Sequence, residues 1–200
     1  MFEREGFNVF SEESGLLDQG GDVTVVIDPI DGSTNAARGL PLFTSSVAFL
    51  VNGSLEAAVV GDAGGAIYTA KRGAGSYCGG KQLKLSRSAD LAGGIVFVNG
   101  YPKRHLGWAQ MRSLGSASLE ICMVAAGVGD GFVDCSSGLA VWDYLGAALI
   151  LVEAGGSLHV VGADFAHPEL SRARRRLVAA SSARLMDQLM ERASRIEELD

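Results

Sequence analysis

The segment Asp28-Pro29-Ile30-Asp31-Gly32-Ser33 places two carboxylates on one short turn. It follows the β-branched run from Val23 to Asp28, which predicts a buried strand that ends by exposing Asp28 at a sheet edge. Because Pro29 fixes its own φ, the turn is stiff and Asp31 can point back toward Asp28. Two carboxylates held together repel each other unless a cation lies between them, and oxygen-only ligands favour Mg²⁺. The turn therefore predicts a divalent metal site.

The same turn opens a short predicted helix, so the N–H groups of Gly32 and Ser33 can face an anion. An Asp-rich bend with ordinary turn chemistry is the alternative, and it would be preferred if the motif stood alone. Two other acidic stretches favour the metal site. One is Ser11-Glu12-Glu13-Ser14-Gly15, which alone would be a solvated acidic loop, and the other is Trp142-Asp143, which alone would be a helix cap.

Composition narrows the classes of function. The net charge is −6 and the pI about 5.1, which argues against a general nucleic-acid binder and means that anionic substrates need local cations or helix N-termini. The cysteines Cys78, Cys122 and Cys135 are too far apart for a zinc or redox pair and, without a signal peptide, indicate a cytoplasmic protein. No apolar run reaches membrane-spanning length without a charge or glycine break.

The elements that must position these residues follow from the hydrophobic pattern. Ser46 to Val51 and Leu55 to Val60 predict a hairpin around Asn52-Gly53, and Ala66 to Lys71 predicts a third strand, so the first half is an antiparallel meander. The second half alternates predicted strands and helices, which indicates a mixed sheet with covering helices. Its predicted strands are 95–98, 131–134, 158–161 and 177–180, and its predicted helices are 116–126, 142–154 and 183–199. We expect an antiparallel-sheet half over 1–92 and a mixed α/β half over 93–200.

Several weaker signals have simpler structural interpretations. Gly75 to Gln82 nearly matches a P-loop, but position 82 is Gln and lacks the hydroxyl group that would bind Mg²⁺. A nucleotide-binding module would also require Lys81 to be essential and Asp28 not to be. A hairpin is therefore the preferred interpretation. His159 alternates within a predicted strand and is interpreted as structural or exposed. The run Arg172, Arg174, Arg175 and Arg176 is interpreted as a solvated loop before a strand.

Three stretches in order, Glu12-Glu13-Ser14, Asp28 to Asn35 and Trp142-Asp143 through Glu153-Ala154-Gly155-Gly156, resemble the inositol monophosphatase family. The segment Arg112 to Ala117 also resembles the family's substrate-side element. The resemblance runs from about residue 7 to the last strand. It implies an α+β layered sandwich of the αβαβα type and a Mg²⁺-dependent phosphatase acting on a small phosphorylated polyol or sugar.

The resemblance also implies roles for individual residues. Glu12, Asp28 and the Ile30 carbonyl would hold one Mg²⁺, and Asp28, Asp31 and Asp143 a second, with Glu13 as the alternative to Glu12. Metal-activated water would attack phosphorus, with Glu12, Asp31 and Ser33 as catalytic residues. The residues implied in substrate binding are Asp31, Gly32, Ser33, Gly115, Ser116, Ala117, Asp134 and Asp143. For Asp134, an ordinary strand-end residue is an equal alternative.

Two departures from the family pattern affect what we expect of this chain. By the resemblance, we expect the chain to begin partway through the family's N-terminal helical layer and the segment from Asn99 to Arg112 to be shorter than in the family. We therefore expect an exposed apolar patch, self-association, lower stability than in longer relatives and weak or absent turnover. A metal- and phosphate-binding relative with a regulatory role, or a fructose-1,6-bisphosphatase-type member, are the alternatives. The second is weakened because Gly138 to Val141 carries no arginine. A homodimer is expected by analogy.

Overall fold

The first half of the chain forms an antiparallel meander, as predicted. The computed structural model describes residues 6–86 and 90–197, with side chains up to 193, and here the first sheet has eight strands. They are β1 (Asn8–Ser11), β2 (Gly15–Leu17), β3 (Val23–Asp31), β4 (Thr44–Val51), β5 (Ser54–Asp62), β6 (Ile67–Lys71), β7 (Ser76–Cys78) and β8 (Lys81–Gln82). Their order is β2-β1-β3-β4-β5-β6-β7-β8, and all neighbours are antiparallel except β1 and β3. A short helix, α1 (Ser33–Ala37), follows β3.

Two predicted hairpins are confirmed. Asn52 and Gly53 join β4 to β5 with φ values of 49° and 78°, the positive values that a tight turn requires. β7 and β8 form an antiparallel pair where a P-loop would need a helix.

The second half contains a mixed sheet and three helices. Its strands are β9 (Ile95–Gly100), β10 (Gln110–Arg112), β11 (Gly131–Cys135), β12 (Ser157–Val160) and β13 (Leu177–Ala180), in the order β10-β9-β11-β13-β12. β9 is parallel to β10 and β11, and β13 is antiparallel to β11 and β12. The helices are α2 (Ala117–Ala125), α3 (Val141–Glu153) and α4 (Ala183–Glu197).

These elements stack in layers, which confirms the layered α+β fold. α2 and α3 pack together between the two sheets, and α4 covers the outer face of the second sheet. α3 lies very close to the first sheet, because a Cβ added at Gly146 would be 2.7 Å from the Ser46 hydroxyl oxygen. The start of α3, where Asp143 lies, is thus fixed against the first sheet. The proposed boundary at residues 92 and 93 stays a prediction, since one hydrophobic core includes residues from both halves.

The segment Glu153-Ala154-Gly155-Gly156 joins the two sheets. The Glu153 carboxylate accepts hydrogen bonds of 2.8 Å from the N–H groups of Gly73 and Gly75, in the turn between β6 and β7. A Cβ at Gly156 would lie 2.5 Å from Leu151 Cδ1, so only glycine fits there. This motif therefore has a structural role at the end of α3.

The short segment between β9 and β10 is anchored by side chains. Leu106 and Trp108 are buried between the second sheet and α4. On the first sheet, the side chains of Val51, Val59 and Ile67 are exposed, and the expected apolar patch stays a prediction. Self-association through it stays a prediction. In the described ranges, no helix has both the length and the apolar character needed to cross a bilayer.

Candidate metal and phosphate site

A β-bulge in β3 brings the two aspartates of the turn together. Against β4, Asp28 pairs with Ser46 and Asp31 with Thr44, so β3 advances three residues while β4 advances two. Residues three apart on a regular strand point to opposite faces, and a bulge changes this alternation. Pro29 lies in the irregular region, where its missing N–H is tolerated. The strand thus continues to Asp31 instead of ending at Asp28 as the sequence predicted.

Asp28 is the most buried of the four candidate metal-binding carboxylates. It is 1% exposed, and its Oδ1 accepts a 3.0 Å hydrogen bond from the N–H of Ile30. The Pro29 carbonyl is held in turn by the Ser45 hydroxyl at 2.6 Å. The turn is therefore fixed on both sides of Pro29.

Asp31 lies at the N-terminus of α2. Its Oδ2 accepts hydrogen bonds of 2.7 Å from the Ser116 hydroxyl and from the N–H of Ser118. The positive end of the helix dipole favours a carboxylate at this position. Ser118 also donates its hydroxyl hydrogen to the Asp143 carbonyl at 2.7 Å, so the N-termini of α2 and α3 are linked beside Asp31.

Asp143 combines the two functions considered from the sequence. As a cap, its Oδ2 accepts a 2.8 Å hydrogen bond from the N–H of Ala140, which precedes α3. Its charge also acts on Asp28, and Ser118 links its backbone carbonyl to Asp31 by two hydrogen bonds of 2.7 Å.

Glu12 follows β1, the strand parallel to β3, and is exposed. Its N–H donates to the Ile27 carbonyl at 3.4 Å, and its charge acts on both Asp28 and Asp143. Among the described residues, Glu13 contributes to neither effect. The geometry thus favours Glu12 as the fourth carboxylate.

Burial and mutual repulsion make these acids hard to ionise. The pKa of Asp28 is raised to about 8, first by burial and then by the charges of Asp31, Asp143 and Glu12. Burial raises the pKa of Asp143 to about 7, and it also raises the pKa of Asp31. A group of carboxylates that oppose each other's ionisation is what a divalent cation would relieve.

The donor set fits a hard cation, although the site is not closed. Among the described residues, no three His, Cys, Asp or Glu side chains converge tightly enough to hold a metal ion as they stand. Hydrogen bonds from the protein reach Asp28 Oδ1 and Asp143 Oδ2, so the second oxygen of each remains available as a ligand. Oxygen donors of this kind suit Mg²⁺.

The predicted phosphate-binding residues lie directly after Asp31. Gly32 has φ 93°, and a Cβ there would be 3.0 Å from the Leu42 carbonyl oxygen and 3.1 Å from that of Gly115. Ser33 is exposed and begins α1, whose first N–H groups have no partner in the preceding turn of helix. Ile30 is exposed as well. Glycine is required at position 32 because the substrate-side loop approaches it so closely.

The predicted substrate-side residues do not all face the same environment. Gly115 is exposed, whereas Ser116 and Ala117 are buried, and Ser116 caps α2 while holding Asp31. Their side chains therefore position the site. Asp134 lies at the end of β11, and its Oδ1 accepts hydrogen bonds from Asn99 and Ser136. It also lines a cavity of about 260 Å³, and none of the four candidate metal-binding carboxylates lines that cavity. Its contact with substrate stays a prediction.

Sequence reasoning missed four residues that support the site. Asn35 donates 2.7 Å hydrogen bonds to the Leu42 and Leu114 carbonyls, which ties α1 to the substrate-side loop. Glu120 is fully buried and accepts from the N–H of Leu114 at 2.5 Å. The others are Arg172 and Arg174. Asn35 ends the quoted motif that begins at Asp28, and Glu120 follows the segment Arg112 to Ala117 by three residues, but the hydrogen bonds of both side chains become visible only in the folded chain.

The chain is a layered α+β protein with two sheets and two helical layers. Its four candidate carboxylates lie where the two halves meet and form an acidic site there. A model described as "Inositol monophosphatase family" matches residues 3–198, and the chain belongs to this family.

Individual relatives agree with this assignment. The chain is 37% identical over 165 residues to "Nus factor SuhB" of Pasteurella multocida, covering 74% of this chain and 61% of the relative. It is 32% identical to "Fructose-1,6-bisphosphatase/inositol-1-monophosphatase" of Archaeoglobus fulgidus, covering 96% and 77%. A solved Pyrococcus horikoshii protein, described as having similarities to inositol-1 monophosphatase, superposes with a TM-score of 0.86 at 29% identity, covering 95% of this chain and 78% of that one.

Proposed function

We propose that this chain hydrolyses a phosphate monoester of a small polyol or sugar in a Mg²⁺-dependent reaction. The observation that carries the proposal is the proximity of Glu12, Asp28, Asp31 and Asp143, which come from three segments of the chain: the residue after β1, the end of β3 and the first turn of α3. Membership of the inositol monophosphatase family supports it.

The carboxylates divide into two ligand sets. Glu12, Asp28 and the Ile30 carbonyl would hold one Mg²⁺, and Asp28, Asp31 and Asp143 would hold the other, with Asp28 shared. When bound, the ions supply Lewis-acid chemistry, which activates water and stabilises the leaving oxygen.

The remaining residues of the chain bind and orient the substrate. The N–H groups of Gly32 and Ser33 would hold phosphate oxygens, since they begin a helix beside Asp31. The Ser33 hydroxyl would orient the attacking water. Gly115 contributes exposed backbone on the alcohol side, and Asp134 would accept hydrogen bonds from the alcohol's hydroxyl groups.

The test is phosphate release from 4-nitrophenyl phosphate and glycerol 2-phosphate, with Mg²⁺ and with EDTA. We expect Mg²⁺-dependent release that falls on the order of 10²-fold or more in Asp31→Asn and in Asp143→Asn. Asp187→Asn on the exposed side of α4 is the matched control and should retain the wild-type rate. Equal rates with Mg²⁺ and with EDTA, or unimpaired variants, would contradict the proposal.

A second candidate is a protein that binds metal and phosphate without turnover. It is favoured by the similarity to "Nus factor SuhB" of Pasteurella multocida, a relative that is not named as a phosphatase. Calorimetry with Mg²⁺ and inorganic phosphate separates the two candidates. Binding that depends on Asp31 but is accompanied by no phosphate release identifies the second.

A further inference from the structure

Two arginines beside the acidic site, Arg172 and Arg174, form no direct ion pair with a described carboxylate. The chain has 23 acidic and 17 basic residues, yet Arg172 and Arg174, both exposed, form no ion pair within the described ranges. By contrast, the Arg175 guanidinium lies 2.9 Å from Glu169, and that of Arg72 lies 3.3 Å from Glu56. Unpaired guanidinium groups in an acidic protein are candidates for binding an external anion.

Both arginines are placed beside the candidate site. The Arg172 guanidinium donates to the Glu12 carbonyl at 3.2 Å, and its Cζ lies 5.8 Å from the ring centroid of Trp142, the residue before Asp143. Arg174 donates to the Gly138 carbonyl at 3.2 Å, and its positive charge also acts on Asp143. The two cations therefore lie near the segments that carry Glu12 and Asp143.

The segment that carries the arginines is fixed to the start of α3. Leu139 and Arg175 exchange two backbone hydrogen bonds, of 3.0 Å and 2.9 Å. Gly138 has φ 104°, and a Cβ there would lie 2.8 Å from the backbone nitrogen of Arg175. Guanidinium groups anchored in this way lose less conformational entropy when they bind an anion.

Each guanidinium also has unused hydrogen-bond donors. A guanidinium carries five N–H donors, and in the described structure Arg172 and Arg174 each donate one hydrogen bond, to a backbone carbonyl. The remaining donors suit an oxyanion such as phosphate or carboxylate. In the proposed reaction, the positive charge of the two Mg²⁺ ions would offset the negative charge of the four carboxylates. The negative charge of the substrate would then still need a positively charged partner.

We propose that Arg172 and Arg174 bind a second anionic group, carried by the alcohol part of the substrate. The chain then favours phosphate monoesters of anionic polyols or sugars over neutral ones. This inference rests on the proposed function, and it supplies from another segment the arginine that is missing between Gly138 and Val141.

The test compares the KM and kcat of two probe substrates with Mg²⁺. Fructose 1,6-bisphosphate carries a second anionic group, and glycerol 2-phosphate does not. We expect Arg172→Gln and Arg174→Gln each to raise the KM of the bisphosphate about tenfold more than they raise the KM of glycerol 2-phosphate. Arg184→Gln removes the same charge from α4 and should change neither KM.

Equal changes with the two substrates, or no change with either, would overturn this inference. Arg172→Lys, which keeps the charge, should partly restore the bisphosphate KM and guards against a variant that fails to fold. If the wild type releases phosphate from neither probe, the proposed function fails. Calorimetric titration with the same two probes then tests whether Arg172 and Arg174 bind the second anionic group. If both glutamine variants still bind the bisphosphate more tightly than glycerol 2-phosphate, as the wild type does, the two arginines do not have this role.

Discussion

The N–H of Ser118 donates a 2.7 Å hydrogen bond to Asp31 Oδ2, although 87 residues separate them in the sequence. Through this bond and a second one from the Ser116 hydroxyl, α2 of the second half holds the turn of the first half that is the candidate metal site. The site thus depends on the docking of the two halves.

Ser116→Ala should weaken both the fold and the site. The substitution removes the α2 cap and one of the hydrogen bonds that orient Asp31, so we expect a loss of about 1 kcal/mol in the free energy of unfolding. Urea denaturation measures that loss, and titration of activity with Mg²⁺ measures the effect on the site. Ser113→Ala, on the exposed loop just before, is the control. A variant as stable as the wild type with an unchanged Mg²⁺ requirement would refute the role of Ser116.

Glu12 and Glu13 allow a matched pair of substitutions. Because the charge of Glu12 acts on Asp28 and Asp143, Glu12→Gln should weaken Mg²⁺ binding at least about tenfold, whereas Glu13→Gln should change it less than about twofold. Calorimetric titration with Mg²⁺ measures both without any need for turnover. The reverse order would assign the ligand to Glu13.

The sequence predicted local features well. The hydrophobic run of β3, the Asn52-Gly53 turn and the alternation of the second half depend on neighbours in the chain. The candidate carboxylates were proposed from motifs that resemble one family, and their role as metal ligands stays a prediction. The bulge that re-aims Asp31 was not predicted, since it depends on pairing with β4.

Long-range contacts account for the other differences. Arg172 was interpreted as part of a solvated loop, but its guanidinium contacts Glu12, 160 residues away. The buried carboxyl of Glu120 received no role, because its contact with Leu114 appears only when the substrate-side loop folds back on α2. Composition and periodicity do not encode such contacts.

Glu153→Ala should destabilise the chain without changing the site directly. The substitution leaves the N–H groups of Gly73 and Gly75 without the carboxylate, and because these groups are partly exposed to water we expect a cost of about 1–2 kcal/mol. Urea denaturation gives the value, with Glu169→Ala on the surface as the control. Equal stability of the two variants would show that the hydrogen bonds between Glu153 and the β6–β7 turn contribute nothing to the free energy of unfolding.

Glu120 should make stability depend on pH. Burial raises the pKa of Glu120 from 4.5 to about 8, so the folded chain retains a proton that the unfolded chain has lost above pH 4.5. The contribution of Glu120 to stability is therefore fully present below pH 4.5 and is lost as the pH rises through about 8, at no more than about 1.4 kcal/mol per pH unit.

Glu120→Gln isolates this contribution. Glutamine keeps an acceptor for the Leu114 N–H and has the shape of the protonated carboxyl, so the variant should lose less stability than the wild type between pH 5 and 9. Urea denaturation in EDTA across that range measures the difference. The contributions of Asp28 and Asp143 are common to both proteins, and the charge of Asp31, which also acts on Glu120, is part of the effect that is measured. Parallel pH profiles would mean that Glu120 ionises in the folded chain as readily as in the unfolded one.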